Sequence, residues 1–142
     1  MVDQTVLAAK VAAVADAVAR VRQVQPQTPE DFRRDRTIRE VVTLNLFVAL
    51  QECLALATHW LADAGWSVPT SYGDVFRALA DHGVLGHDLA GRLVSAAGFR
   101  NLVAHQYGVI DTDRLYAIAS TDPSDLIEFC RVLADRARGQ PD

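Results

Sequence analysis

Little in this chain could tie it together other than packing. It has two cysteines, Cys53 and Cys130, far apart and without C-x-x-C spacing, which excludes a disulfide scaffold and a dithiol motif. Both fall in apolar stretches and read as small core residues. The four histidines are scattered, with no helical ligand pair beside an acid, so no metal is expected. Aromatics make up 7% of the residues and there are only eight glycines, which speaks against a sandwich or barrel. No uninterrupted apolar run approaches the ~20 residues of a bilayer span, so no membrane association is expected. The N-terminal residues carry an acid at Asp3 and lack the pattern of a secretory signal, which makes a cytoplasmic address the expectation. Lysine occurs once, at Lys10, against 13 arginines; genome composition explains that bias as readily as phosphate binding does. A net charge of −4 excludes a general nucleic-acid coat but not a small basic cleft.

What the chain does have is aliphatic surface. Half of its 142 residues are hydrophobic, mostly Ala, Val and Leu, and 23% are charged. That balance excludes disorder and suits packed helices. The length fits a single domain over 1–142 with a core of its own. Leu7, Val11, Val14, Val18 and Val21 recur at helical spacing and form one stripe, which Pro26 and Pro29 terminate. No Gly or Pro interrupts residues 31–64; one helix there would be ~50 Å long, so a bend or break is expected near Arg36. Val42, Leu46, Ala49, Cys53, Leu56 and Trp60 form its core stripe. Asn45, Glu52 and His59 form a polar row beside it, either a cleft lining or a solvated edge.

Gly65 closes that helix, and Ser71 with Asp74 resembles a capping box before a short helix with Val75, Phe76 and Leu79 inward. A fourth main helix runs from Gly86 or His87 to about Gly108. A short helix over 112–119 and a separate last helix starting at Asp122 and Pro123 complete the expectation. The fold expected is all-α, an antiparallel bundle of about five helices.

One irregularity stands out on the fourth helix. Leu89, Leu93, Ala97, Arg100 and Ala104 fall in line, and an arginine on an apolar stripe needs a partner or a purpose. Tyr107 returns to within ~20° of Arg100, whereas Asn101 and His105 share an adjacent face. Arg100 and His105 lie ~140° apart on an ideal helix, so joint action needs a long reach, a helix end or a second subunit. A bare Arg and His five apart carries little information, because Arg77 and His82 repeat it; the extended pattern with Asn101 and Tyr107 occurs once. An imidazole, with an ordinary pKa of ~6.5, can take or give a proton near neutral pH, and a planar, permanently charged guanidinium fits phosphoryl oxygens. A structural alternative pairs Arg100 with an acid such as Glu52 and leaves His105 at a helix end, favoured by the dipole.

The stretch GFRNLVAHQYGVID resembles the signature of HepT-like toxins in the HEPN superfamily, and the likeness extends to PTSYGDVFRALADHGVL and to the apolar helix after IDTDRLY. That resemblance implies a metal-independent ribonuclease with Arg100 and His105 as its catalytic pair and Asn101 in support. It implies no cofactor, RNA as substrate, and a homodimer that brings two motifs to one cleft. It also implies a type VII-like toxin–antitoxin pairing, in which a nucleotidyltransferase antitoxin transfers AMP to Tyr107. Two other functions stay open at this point: a non-catalytic helical module that partners a nucleotidyltransferase, and a purely structural adaptor.

Overall fold

A computed structural model describes residues 2–139. Among them are six α-helices and no strand: α1 (Gln4–Val24), α2 (Pro29–Arg34), α3 (Arg36–Asp63), α4 (Tyr72–Asp81), α5 (His87–Gln106) and α6 (Thr112–Arg138), with a 3₁₀ turn at Tyr107–Val109. Side-chain contacts give the directions. Lys10 of α1 meets Glu52 of α3, and Arg22 of α1 meets Ser124 of α6. Arg100 of α5 meets Gln51, while Cys53 of α3 reaches Leu126 of α6. The result is an antiparallel bundle in which α1 and α5 run against α3 and α6.

The core stripe of α3 is buried as its spacing requires, with Val42, Leu46, Ala49, Cys53, Leu56 and Trp60 all inside. By length and composition α3 is apolar enough to cross a bilayer, although no single run in the sequence suggested it. Half of that apolar window is covered by the other helices. The expected interruption near Arg36 falls one residue earlier. Asp35 has an extended backbone and its carboxylate accepts from the Ile38 amide, starting α3 afresh. Arg39 reaches back across the break and donates through Nη1 to the carbonyls of Phe32 and Arg33, which close α2.

Helices α3 and α4 end alike. Gly65 (φ 76°) and Gly83 (φ 77°) hold left-handed conformations that place Trp66 N on Leu61 O and Val84 N on Leu79 O. Trp66 and His82 then stack, 3.9 Å between ring centroids, joining the two ends. Ser71 caps α4 through the Asp74 amide, as its position suggested.

The C-terminal region differs from the sequence expectation. Residues 112–119 and the segment from Asp122 are one continuous helix, with Pro123 inside it. A proline in a helix removes one N–H and crowds the preceding turn. In the turn before it, Ser120 and Gln25 both donate to Tyr116 O, and Thr121 donates to Ala117 O. Leu115, Ala119, Pro123, Leu126, Cys130, Leu133 and Ala137 form one buried row across the joint, so burial favours continuity. Asp122 caps nothing. Half-buried, its carboxyl is pushed up to about 6, mainly by desolvation and further by Asp125, against the Thr121 hydroxyl.

Candidate functional site

Helix α5 begins in the core and ends at the surface. Leu89, Leu93, Ala96, Ala97 and Phe99 are buried, whereas Asn101, Ala104, His105 and Gln106 are exposed. Ala104 therefore does not continue the apolar stripe as its spacing suggested; half-buried Val103 does, because the last turn leans on α3. Arg100 sits at the transition, only half exposed.

Among the described residues no carboxylate pairs with Arg100. Its Nε donates to Gln51 Oε1 at 2.8 Å, and its guanidinium lies 4.3 Å from the Tyr72 ring centroid and 6.0 Å from that of Phe47. A longer contact of 3.4 Å joins Nη1 to Asn101 Oδ1. Three neutral side chains from α3 and α4 thus fix the plane of a cation that keeps its charge unneutralised. The proposed acid partner, Glu52, instead pairs with Lys10 at 3.1 Å. Of the rest of the polar row, Asn45 bonds to Val41 O, and exposed His59 borders a shallow pocket with Gln51 and Tyr72. The row that matters is displaced by one residue, at Gln51.

His105 lies five residues on, exposed and with no hydrogen-bond or ion-pair partner among the described residues. Among the described residues no contact joins it to Arg100, whose partners are Gln51, Asn101, Tyr72 and Phe47. Tyr107 follows at the first position of the 3₁₀ turn, 48% exposed. A side chain placed at Gly108 would meet nothing within 4 Å, so the tyrosine stands in open surroundings. The duplicate pair behaves as ordinary helix surface: Arg77 bonds to Asp74 and His82 stacks on Trp66. Among the described residues no three metal-ligating side chains come together.

Sequence reasoning placed Arg100, His105, Asn101 and Tyr107 on one helix end, where they are. It missed Gln51, Phe47 and Tyr72, which hold the arginine from other elements. Tyr72 carried a signal only as the residue after a helix cap, and Gln51 carried none.

Comparison with known proteins gives these features a family. The sequence model described as Ribonuclease HepT-like matches residues 14–133. The mRNA nuclease HepT of Shewanella oneidensis is 26% identical over 124 residues, spanning 87% of this chain and 92% of that one. A solved structure of a tri-AMPylated Shewanella oneidensis HEPN toxin, in complex with its MNT antitoxin, superposes with a TM-score of 0.86 at 24% identity, covering 94% of this chain and 99% of that one. A cytosolic protein of unknown function from Bacillus subtilis, YutE, shares the fold at 17% identity, with a TM-score of 0.83 and 99% and 96% covered. The structural likenesses establish an all-α HEPN-type fold, and the family match spans most of the core and the whole of the Arg100 to Tyr107 segment: the chain belongs to the HepT-like ribonuclease family.

Proposed function

We propose that Arg100 and His105 carry the ribonuclease chemistry of this chain, and that it serves as the toxin of a toxin–antitoxin pair. The observation that carries this reading is the state of Arg100: a guanidinium oriented by Gln51, Tyr72 and Phe47, paired with no acid, on the same helix end as an unpartnered imidazole. A half-buried arginine with a purely structural role would be neutralised by an acid; one meant for a phosphodiester keeps its charge available. His105 takes the proton from a ribose 2′-OH, and that oxygen attacks the adjacent phosphorus. Arg100 holds the non-bridging oxygens as negative charge builds on them. The 5′-oxygen leaves and takes a proton from water, giving a 2′,3′-cyclic phosphate and a 5′-hydroxyl, and the imidazolium returns its proton to the solvent. None of these steps needs a metal.

In this reading two copies pack with their α5 ends facing, so that Arg100 of one chain and the imidazole of the other serve a single cleft. This resolves the ~140° between the two side chains on one helix. The partner protein is a nucleotidyltransferase antitoxin, supported by the likeness to a HEPN toxin captured with one. It acts on Tyr107: the phenolic oxygen attacks the α-phosphorus of ATP, pyrophosphate leaves, and AMP remains on the ring. The exposure of Tyr107 and the open space at Gly108 support access by another active site. Growth of bacteria expressing the chain alone tests the reading. Arrest that is relieved by His105→Ala, and by co-expression of the neighbouring nucleotidyltransferase, is the expected result. Unimpaired growth with abundant soluble wild-type protein contradicts the toxin role.

A further inference from the structure

Tyr107 forms the wall between two cavities of different character. One, of about 370 Å³, is bounded by Thr43, Leu44, Phe47 and Val103 and is mainly apolar. The other, of about 170 Å³, is bounded by Arg36, Arg39, Gly108, Ile110 and Thr112. Glu40 and Tyr107 belong to both, so the cavities adjoin. We propose that together they form a nucleotide seat for the RNA strand, with a base in the apolar cavity and a phosphodiester at Arg36 and Arg39. The seat rests on the ribonuclease reading above and adds to it a substrate-binding site distinct from Arg100 and His105.

Three observations carry the assignment. Phe47 is shared: its ring centroid lies 6.0 Å from the Arg100 guanidinium, and the same residue lines the apolar cavity. A strand whose reacting phosphate meets Arg100 therefore has a flat apolar recess beside it. Leu44 lies at the mouth of that recess, 61% exposed, an unusual place for a leucine with nothing to cover it. Finally, the arginines are only partly committed. Arg36 ion-pairs with Glu40 through Nε alone, in an exposed bridge that solvent keeps weak, and Arg39 gives Nη1 to α2 carbonyls, which leaves both Nη groups of Arg36 and Nη2 of Arg39 for a phosphate. The Tyr107 phenol lies within electrostatic reach of Arg36.

Fluorescence anisotropy of a labelled 2′-O-methyl oligoribonucleotide, which cannot be cleaved for want of a 2′-OH, tests this on the full chain. Arg36→Gln is expected to lower the slope of log affinity against log salt by about 0.7, the loss of one single-strand phosphate contact. Phe47→Ala and Leu44→Asn are expected to weaken binding about tenfold with the slope unchanged, the loss of a stacking surface. Leu44 and Arg36 are exposed, so their variants keep the fold even if Phe47→Ala does not. Free AMP is expected to compete with the oligonucleotide, and less well in the same variants, whereas Arg77→Gln behaves as wild type. Binding that depends on Arg100 but not on Arg36, Phe47 or Leu44 overturns the seat and leaves the ribonuclease reading intact. A Leu44→Asn protein that changes its mass in solution but not its RNA affinity shows that a second copy covers the recess, which also overturns the seat. No binding of oligonucleotide or AMP by the wild-type chain overturns both readings.

Discussion

Gln51→Ala removes the hydrogen bond that sets the plane of the Arg100 guanidinium, and its effect can be sized from the geometry. The contact is 2.8 Å from a charged donor to a neutral acceptor, half-buried between α3 and α5. Such bonds are worth ~1.5–3 kcal/mol when well enclosed, and about half that where water competes. About 1.4 kcal/mol of lost orientation corresponds to a roughly tenfold slower cleavage step. Tyr72→Leu removes the stacking ring 4.3 Å away, worth ~0.5–1 kcal/mol at a partly exposed site, for a roughly threefold effect. Tyr72→Phe keeps the ring and is expected to cleave as wild type. Both contacts serve one guanidinium, so the double variant should lose less than the product of the two single effects. Single-turnover cleavage of a labelled RNA supplies the rates, and thermal unfolding supplies the control that each variant is folded. If Gln51→Ala and Tyr72→Leu both cleave at the wild-type rate while Arg100→Ala does not, the bracing of the arginine plays no part in the reaction.

Three further outcomes follow from other parts of the molecule. Tyr107→Phe is expected to abolish AMP transfer by the partner nucleotidyltransferase while leaving toxicity intact; intact-mass spectrometry of the co-expressed pair checks it, and an unmodified wild-type Tyr107 in a neutralised pair points to inhibition by binding alone. Asp122 holds its proton more tightly in the folded chain, up to about 6, than in the unfolded one, so stability falls as pH rises from ~4 to ~6 and the full penalty is present at pH 7. Discounted for its partial exposure, Asp122→Asn should raise stability by about 1 kcal/mol at pH 7 and by nothing near pH 4, measured by urea unfolding at both; an equal change at the two pH values refutes the assignment. Arg77→Ala is expected to leave cleavage unchanged, because that arginine is paired with Asp74 on open helix surface; a loss matching that of Arg100→Ala would undo the distinction between the two Arg and His pairs.

Local signals in the sequence were enough wherever local forces decide. Helical spacing marks α1, α3, α4 and α5, with prolines after α1 and glycines after the other three, and the ~50 Å length of an unbroken helix led to the interruption at Asp35. The separate helix expected from Asp122 failed for a non-local reason. Asp122 and Pro123 make a sound start signal, but burial of the row through Leu115, Pro123 and Leu133, with Gln25 of α1 supplying a donor to Tyr116 O, outweighs it. At the site, the four residues on α5 were legible because they share one short segment. Their setting was not. Gln51 and Tyr72 reach Arg100 from two other helices, and Glu52, its expected partner, points to Lys10 because α1 lies along that side of α3. Spacing on one helix says which side chains share a face; only the packing of the bundle says what that face meets.

The central claim is that His105 and Arg100 cleave RNA together and without a metal. Its most direct test is cleavage of a labelled RNA by the purified chain in excess EDTA, beside Arg100→Ala and His105→Ala, with the product ends identified. The account predicts undiminished wild-type cleavage leaving 2′,3′-cyclic phosphate ends, and losses of similar size in the two variants. Cleavage that stops in EDTA and returns with Mg²⁺, or that survives His105→Ala, would contradict it.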